Sequence, residues 1–170
     1  MPSGHTHDRI TWGSFPFVTI GAYALTQSWS LAITASGSFL FSGFMFGPDL
    51  DIRSKQYFRW GVLRWIWLPY QEIIPHRSYW SHGPIIGTLG RMIYFGVAVL
   101  MLAAIASILY ANYQELPWDF YIQRFSIPKN WPPKFVEGLI VNFVGLEVGA
   151  FSHYASDMVS SSLKRLKRML

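Results

Sequence analysis

No Asp, Glu, Lys, Arg or His occurs from Thr11 to Pro48, and none from Met92 to Gln114. Uncharged stretches of this length constrain the fold more than any other feature of the chain, because a helix that crosses hydrocarbon needs about 20 mainly apolar residues. The ionisable residues between them are gathered into short polar clusters. All five histidines lie in three of these: His5, His7 and Asp8; His76, Arg77 and His82; and His153 with Asp157. A fourth cluster, Asp49 and Asp51, adds two carboxylates. To bring the clusters together the chain must turn back on itself several times.

The 170 residues suit a single domain, read here as one membrane-embedded metal-binding unit over 1–170. Charged residues make up 14% of the chain against roughly 25% in an average soluble protein, and that deficit points to lipid. The net charge of +5 raises nucleic acid as a partner. The basic residues form no stripe with interleaved aromatics on a polar face, so nucleic acid is set aside and anionic membrane lipids are the expected partner. Cysteine is absent, which excludes disulfides and thiolate ligands; any metal is held by nitrogen and oxygen. The first residues lack the basic, apolar and small-residue succession of a secretory signal, and a ligand role for His5 or His7 requires this end to be retained.

The apolar runs predict an all-α fold with about four transmembrane helices in a bundle. Thr11 to Leu25 and Trp29 to Phe46 are the first two spans, divided by the polar break Thr26, Gln27, Ser28. The second carries small residues every few positions, the pattern that lets membrane helices approach closely, so its serines are read as packing residues. Ile85 to Tyr110 and Phe135 to Val159 are the third and fourth. Gln56 to Ile74 alternates Arg with aromatic residues and is expected to form an amphipathic helix in the headgroup plane. Ala111 to Lys134, with Trp118, Tyr121, Phe125 and Trp131 among prolines, is expected to be an external loop.

Four spans place the N-terminus, residues 49–84 and the C-terminal tail on one side, with ten of the fourteen Lys and Arg residues. The opposite side receives three, and by the positive-inside rule the richer side is cytoplasmic. The same assignment puts every His and Asp cluster, and both termini, on that cytoplasmic side. An odd number of spans would divide the ligands across the bilayer.

His153 and Asp157 are four apart and share a helical face, about 5–6 Å between Cβ atoms, close enough to bind one ion together. Two carboxylates at the end of an apolar helix, Asp49 and Asp51, are costly unless solvated, paired or ligating. His82 precedes the third span, where a helix N-terminus disfavours the protonated ring and leaves a neutral nitrogen ligand; His76 stands six residues earlier. His7 stands at the start of the first span, and Asp8 beside it is the first choice for a general acid or base. Arg77 is the candidate clamp for a substrate anion, since a guanidinium matches phosphate bidentately. Arg91 and Glu147 are ionisable groups within spans, either functional or paired with one another. Mixed His and Asp ligands fit a divalent metal, zinc first, with manganese or iron as alternatives.

The segments Ser3–Thr11, Phe46–Asp51, His76–Pro84 and Ser152–Asp157, taken together and in order, resemble an uncharacterised family of metal-binding membrane proteins, related in turn to membrane-bound metal-dependent hydrolases of unknown function. The resemblance runs nearly the full length. It implies His7, Asp49, Asp51, His76, His82, His153 and Asp157 as metal ligands and His5 as a non-ligand. More distantly, the His-x-x-x-Asp helix is similar to one in the zinc-dependent phospholipase C and P1 nuclease group; there a histidine follows the aspartate by two residues, where this chain has Val159.

The resulting expectation is a metal-dependent hydrolase of phosphate esters or phospholipids at the cytoplasmic face. Its rival is a non-enzymatic, metal-stabilised subunit of a larger membrane protein complex. A metal transporter ranks last, because the spans hold no ligand other than Glu147.

Overall fold

A computed structural model describes residues 4–117 and 130–169. No strand occurs among the described residues, and the helices follow in the order α1 (Gly4–Thr26), α2 (Trp29–Phe44), α3 (Lys55–Arg59), α4 (Leu68–Ile73), α5 (Tyr79–His82), α6 (Ile86–Tyr113) and α7 (Pro133–Met169). Two 3-10 segments, Pro48–Asp51 and Gly61–Trp67, also occur among the described residues. The all-α expectation therefore holds.

α1 and α2 form a hairpin broken at Gln27 and Ser28, and Ser28 caps α2 by accepting the Leu31 N–H. α2 packs between α1 and α7, its two largest interfaces. The contact with α7 is close because glycine permits it. A Cβ at Gly145 would stand 2.3 Å from the Ala35 carbonyl oxygen, and one at Gly149 would stand 2.6 Å from Ser42 Cβ. The facing serines need little from outside: Ser36 donates to the Ala32 carbonyl at 2.7 Å and Ser38 to Thr34 at 2.8 Å. Gly145, Gly149, His153 and Asp157 fall at four-residue intervals on one face of α7. The stripe that seats α7 on α2 thus continues, one turn later, into the ligands.

The core lies beneath the segment after α2. Phe46, Leu50, Tyr57, Trp67, Tyr70 and Leu146 are buried together, and Trp67 stacks on Phe95 at 5.8 Å with 6° between planes. Leu50 is fully enclosed, which pins the turn carrying Asp49 and Asp51 on either side of it. Gln71 Nε2 donates to the Leu50 and Ile52 carbonyls, both at 3.0 Å, and Trp60 Nε1 to Met45 at 2.8 Å. The turn is held from below by apolar burial and from the side by these donors.

The 56–74 segment departs from its expected form. It is not one amphipathic helix but α3, a 3-10 segment and α4 in succession. Gly61 takes φ +55°, a left-handed conformation that ends α3, and Pro69 removes a donor at the start of α4.

Among the described residues, three segments are long and apolar enough to cross a membrane: Trp29–Asp51, Ile86–Tyr113 and Pro133–Leu163. α1 is not among them. It has 23 residues, but they include Gly13, Pro16 and Gly21 and the polar first turns around His5, His7, Asp8 and Arg9. Its threonines turn inward on the helix, Thr19 donating to Phe15 at 2.9 Å and Thr26 to Ala22 at 2.8 Å. Because α1 is the antiparallel mate of α2, its N-terminus still arrives beside the end of α2. The ligand clusters converge on one end of the helices although, among the described residues, three rather than four segments have span composition.

α6 presents a long apolar surface, with Ile93, Leu100 and Leu109 each close to two-thirds exposed. Of the expected external loop, Trp118, Tyr121 and Phe125 lie outside the described residues, while Trp131 stacks on Phe135 at 4.7 Å.

Candidate metal centre

Seven side chains from four parts of the chain meet at this end of the molecule. His7 comes from the first turns of α1, Asp49 and Asp51 from the 3-10 turn after α2, and His76 and His82 from the region before α6. His153 and Asp157 come from α7. They fall into three overlapping groups: His7, His153 and Asp157; Asp49, His82 and His153; and Asp51, His76 and His82. Within each group the donor atoms all lie within 4.8 Å of one another. His153 joins the first two groups, and His82 the last two.

The rings are stacked and oriented. His7 lies over His153 with centroids 3.9 Å apart and 14° between planes. Ser156 Oγ donates to the His153 carbonyl at 2.8 Å and therefore accepts the His7 Nδ1–H at 2.9 Å. That bond fixes the tautomer and leaves Nε2 as the basic nitrogen, 3.3 Å from Asp157 Oδ1. Ser81 plays the same part for His82: its hydroxyl faces the Pro75 and Ser78 carbonyls, both at 3.3 Å, and accepts from His82 Nδ1 at 2.9 Å. His82 Nε2 is left facing Asp49 Oδ1 at 3.7 Å. The other Asp49 oxygen is 3.3 Å from His153 Nε2, so this carboxylate stands between the two histidines. His76 Nδ1 pairs with Asp51 Oδ1 at 2.8 Å, and His76 is the most exposed member of the set.

These distances leave atoms without partners. Asp49 Oδ1, Asp51 Oδ2, His82 Nε2, both nitrogens of His153 and Asp157 Oδ1 are buried and make no hydrogen bond among the described residues. A buried polar atom left unsatisfied costs about 1–3 kcal/mol. Here carboxylate oxygens face imidazole nitrogens, His82 Nε2 toward Asp49 and His153 Nε2 toward Asp49 and Asp157, and a neutral imidazole offers one electron-pair donor nitrogen. A cation satisfies such a set. Nitrogen and oxygen donors without thiolate fit a divalent ion of the zinc, manganese or iron type. The residues present therefore fit a metal, by the chemistry of the donors and by their lack of other partners.

Asp8 stands apart from the three groups. Arg59 binds it bidentately, Nη1 to Oδ1 at 2.9 Å and Nη2 to Oδ2 at 2.8 Å, and Lys55 Nζ closes on Oδ2 as well. Partial burial alone would raise its carboxyl; the hydrogen bonds and charges of Arg59 and Lys55 outweigh that and hold it below the ordinary carboxylate range. Its oxygens are already engaged as acceptors. His5 is exposed and hydrogen-bonds Lys55 Nζ through Nδ1 at 3.2 Å. Arg77 is exposed, has φ +60° and makes no hydrogen bond or ion pair among the described residues.

Arg91 and Glu147 do not pair. The fully buried Arg91 donates to the Ser81 carbonyl at 2.7 Å and to Thr88 Oγ1 at 3.0 Å, bracing the residue before His82. Glu147 accepts the Ile85 N–H at 2.9 Å at the start of α6.

Sequence reasoning passes over Lys55, Arg59, Ser81 and Ser156. Lys55 and Arg59 are four apart immediately after Asp51 and follow the capping residue Ser54, a pattern that marks one face of a short helix.

A family model described as "Uncharacterized metal-binding protein (DUF2227)" matches residues 2–167. An uncharacterized protein of Aquifex aeolicus (strain VF5) is 37% identical over 57 residues, which is 33% of this chain. The aligned part spans 40% of that curated relative. No solved structure matches the chain.

Proposed function

The chain belongs to the uncharacterized metal-binding protein family DUF2227, and on that premise we propose that it is an integral membrane hydrolase of phosphate esters whose divalent metal site lies at the cytoplasmic ends of its helices. The observation that carries this reading is a cavity of about 190 Å³ that opens onto His7, Asp49 and His153. A structural metal site is closed by its ligands, whereas a catalytic one keeps a position open to substrate. That contrast favours the hydrolase over a purely structural, metal-stabilised subunit.

Two ions suit the geometry better than one. Asp49 offers one oxygen toward His82 and the other toward His153, so it links the group of His7, His153 and Asp157 to the group of Asp51, His76 and His82. When bound, divalent ions would supply Lewis acidity toward a phosphoryl oxygen. The chain's own residues do the rest: Ser156 and Ser81 fix the histidine tautomers, Leu50 holds the aspartates in place, and the glycine stripe of α7 sets the distance between the two halves of the site.

The membrane setting is supported by the three segments of span composition and by the exposed apolar length of α6, which water would not favour and lipid would. The reading is tested with full-length protein in detergent, zinc-loaded, on a chromogenic phosphodiester and on phospholipid micelles. His153→Ala and Asp49→Ala are expected to abolish turnover while the protein still inserts. Turnover retained in both would sink the proposal.

A further inference from the structure

The cavity that reaches the metal donors is also lined by basic side chains. Its lining includes Lys55 and Arg59 with Asp8, as well as His7, Asp49 and His153. We infer that Lys55 and Arg59 form an oxyanion-binding wall that takes a phosphate group against the metal site; the inference rests on the metal reading above and names the ligand chemistry of that same site.

Charge is the first argument. Asp8 is paired with both cations, yet one carboxylate cancels only one of two charges. If the cluster holds two divalent ions, the three carboxylates Asp49, Asp51 and Asp157 do not cancel them. The cavity is then ringed by uncompensated positive charge in a partly desolvated setting, where a mobile anion is the cheapest partner. Donor geometry is the second. Arg59 spends Nη1 on Asp8 and on the Phe44 carbonyl at 3.0 Å, and Nη2 on Asp8, which leaves N–H donors unspent on a side chain whose fork fits phosphate oxygens. Lys55 has donors for Asp8 and His5 and one to spare.

Size is the third. About 190 Å³ is below the roughly 300–1,000 Å³ of sites that engulf a whole small molecule, and it holds about six waters at ~30 Å³ each. The cavity therefore takes a compact anionic group and leaves the rest of the molecule outside. Asp8 is a positioning residue in this arrangement, holding the two cations side by side.

The probe is inorganic phosphate, titrated calorimetrically into full-length, zinc-loaded protein in detergent. Wild type should bind, and Lys55→Gln and Arg59→Gln should each weaken binding at least about tenfold with zinc content unchanged. Because Arg59 also holds the Phe44 carbonyl, Lys55→Gln carries the test alone if Arg59→Gln sheds zinc. No phosphate binding in wild type, equal binding in Lys55→Gln, or a loss confined to Arg77→Gln would each overturn the assignment. Elemental analysis separates the two readings: wild type without metal defeats the metal site, and titration of the chelator-stripped protein still reads the wall. Weak binding there that needs Lys55 keeps the wall, and binding indifferent to Lys55 removes it. Micelles of a phosphate-monoester lipid form a second arm. Competition with inorganic phosphate puts a lipid headgroup in this pocket, and its absence assigns the pocket to free phosphate.

Discussion

Replacing Gly149 by alanine tests whether the α2–α7 contact sets the geometry of the metal centre. The new Cβ would lie 2.6 Å from Ser42 Cβ and 2.7 Å from the Phe39 carbonyl oxygen. Ordinary carbon contacts are about 3.5–4.0 Å, so α7 must withdraw from α2 by roughly 1 Å. His153 follows four residues later, about 6 Å along the helix, and shares the displacement. Metal–ligand distances tolerate only about 0.2 Å. Overpacking of this kind costs about 1–3 kcal/mol, and if it falls on the bound state, zinc affinity drops about 5- to 150-fold. The assay is chelator competition in detergent, beside Gly138→Ala. A Cβ at Gly138 meets nothing within 4 Å, so that variant gains the same helix propensity, about 1 kcal/mol, without the clash. Zinc affinities of Gly149→Ala and Gly138→Ala equal within measurement error would refute the reasoning.

Ser156→Ala removes the acceptor that holds His7 Nδ1–H, and should lower metal affinity about 10- to 100-fold with helical content unchanged in circular dichroism; unchanged affinity would mean that Ser156 does not set the tautomer. Asp8 has its carboxyl held below the ordinary value, so its contribution to stability is present above that value and is lost as pH falls through the depressed one. Thermal melts should then show wild-type stability falling more steeply than that of Asp8→Asn below about pH 4, and parallel curves would contradict the ion-pair account. Metal binding displaces protons from imidazole, so acidification should release zinc from the wild type in a chelator-monitored titration. Zinc retained through the acid limb would point to carboxylates alone as ligands.

Much of this arrangement is visible in the order of residue types. The uncharged runs place the long helices, and the alternation of Ala, Ser and Gly through α2 announces a close neighbour. Gly145, Gly149, His153 and Asp157 even state in their spacing that packing and ligation share one helix face. What sequence reasoning misses depends on tertiary placement. Arg59 reads as part of an interfacial stretch from Gln56 to Ile74 and Lys55 as one more basic residue of the cytoplasmic side, because the Arg and aromatic alternation outweighs the break that Gly61 and Pro69 impose. The orienting hydroxyls of Ser81 and Ser156 have no signature of their own, since a serine's partner is decided by what the fold brings within 3 Å. Arg91 and Glu147 suggest a pair by charge, but the rotation of α6 and α7 gives each a backbone partner instead, the Ser81 carbonyl for one and the Ile85 N–H for the other.

The central claim is that the unpartnered nitrogens and oxygens of the His and Asp cluster hold divalent metal. The direct measurement is elemental mass spectrometry of detergent-solubilised protein purified without a histidine tag, beside a His153→Ala, Asp157→Ala double variant. The account predicts zinc, manganese or iron at one to two ions per wild-type chain, with most of it lost from a variant that keeps its helical content. Metal-free wild type, or a variant that retains the full complement, would contradict it.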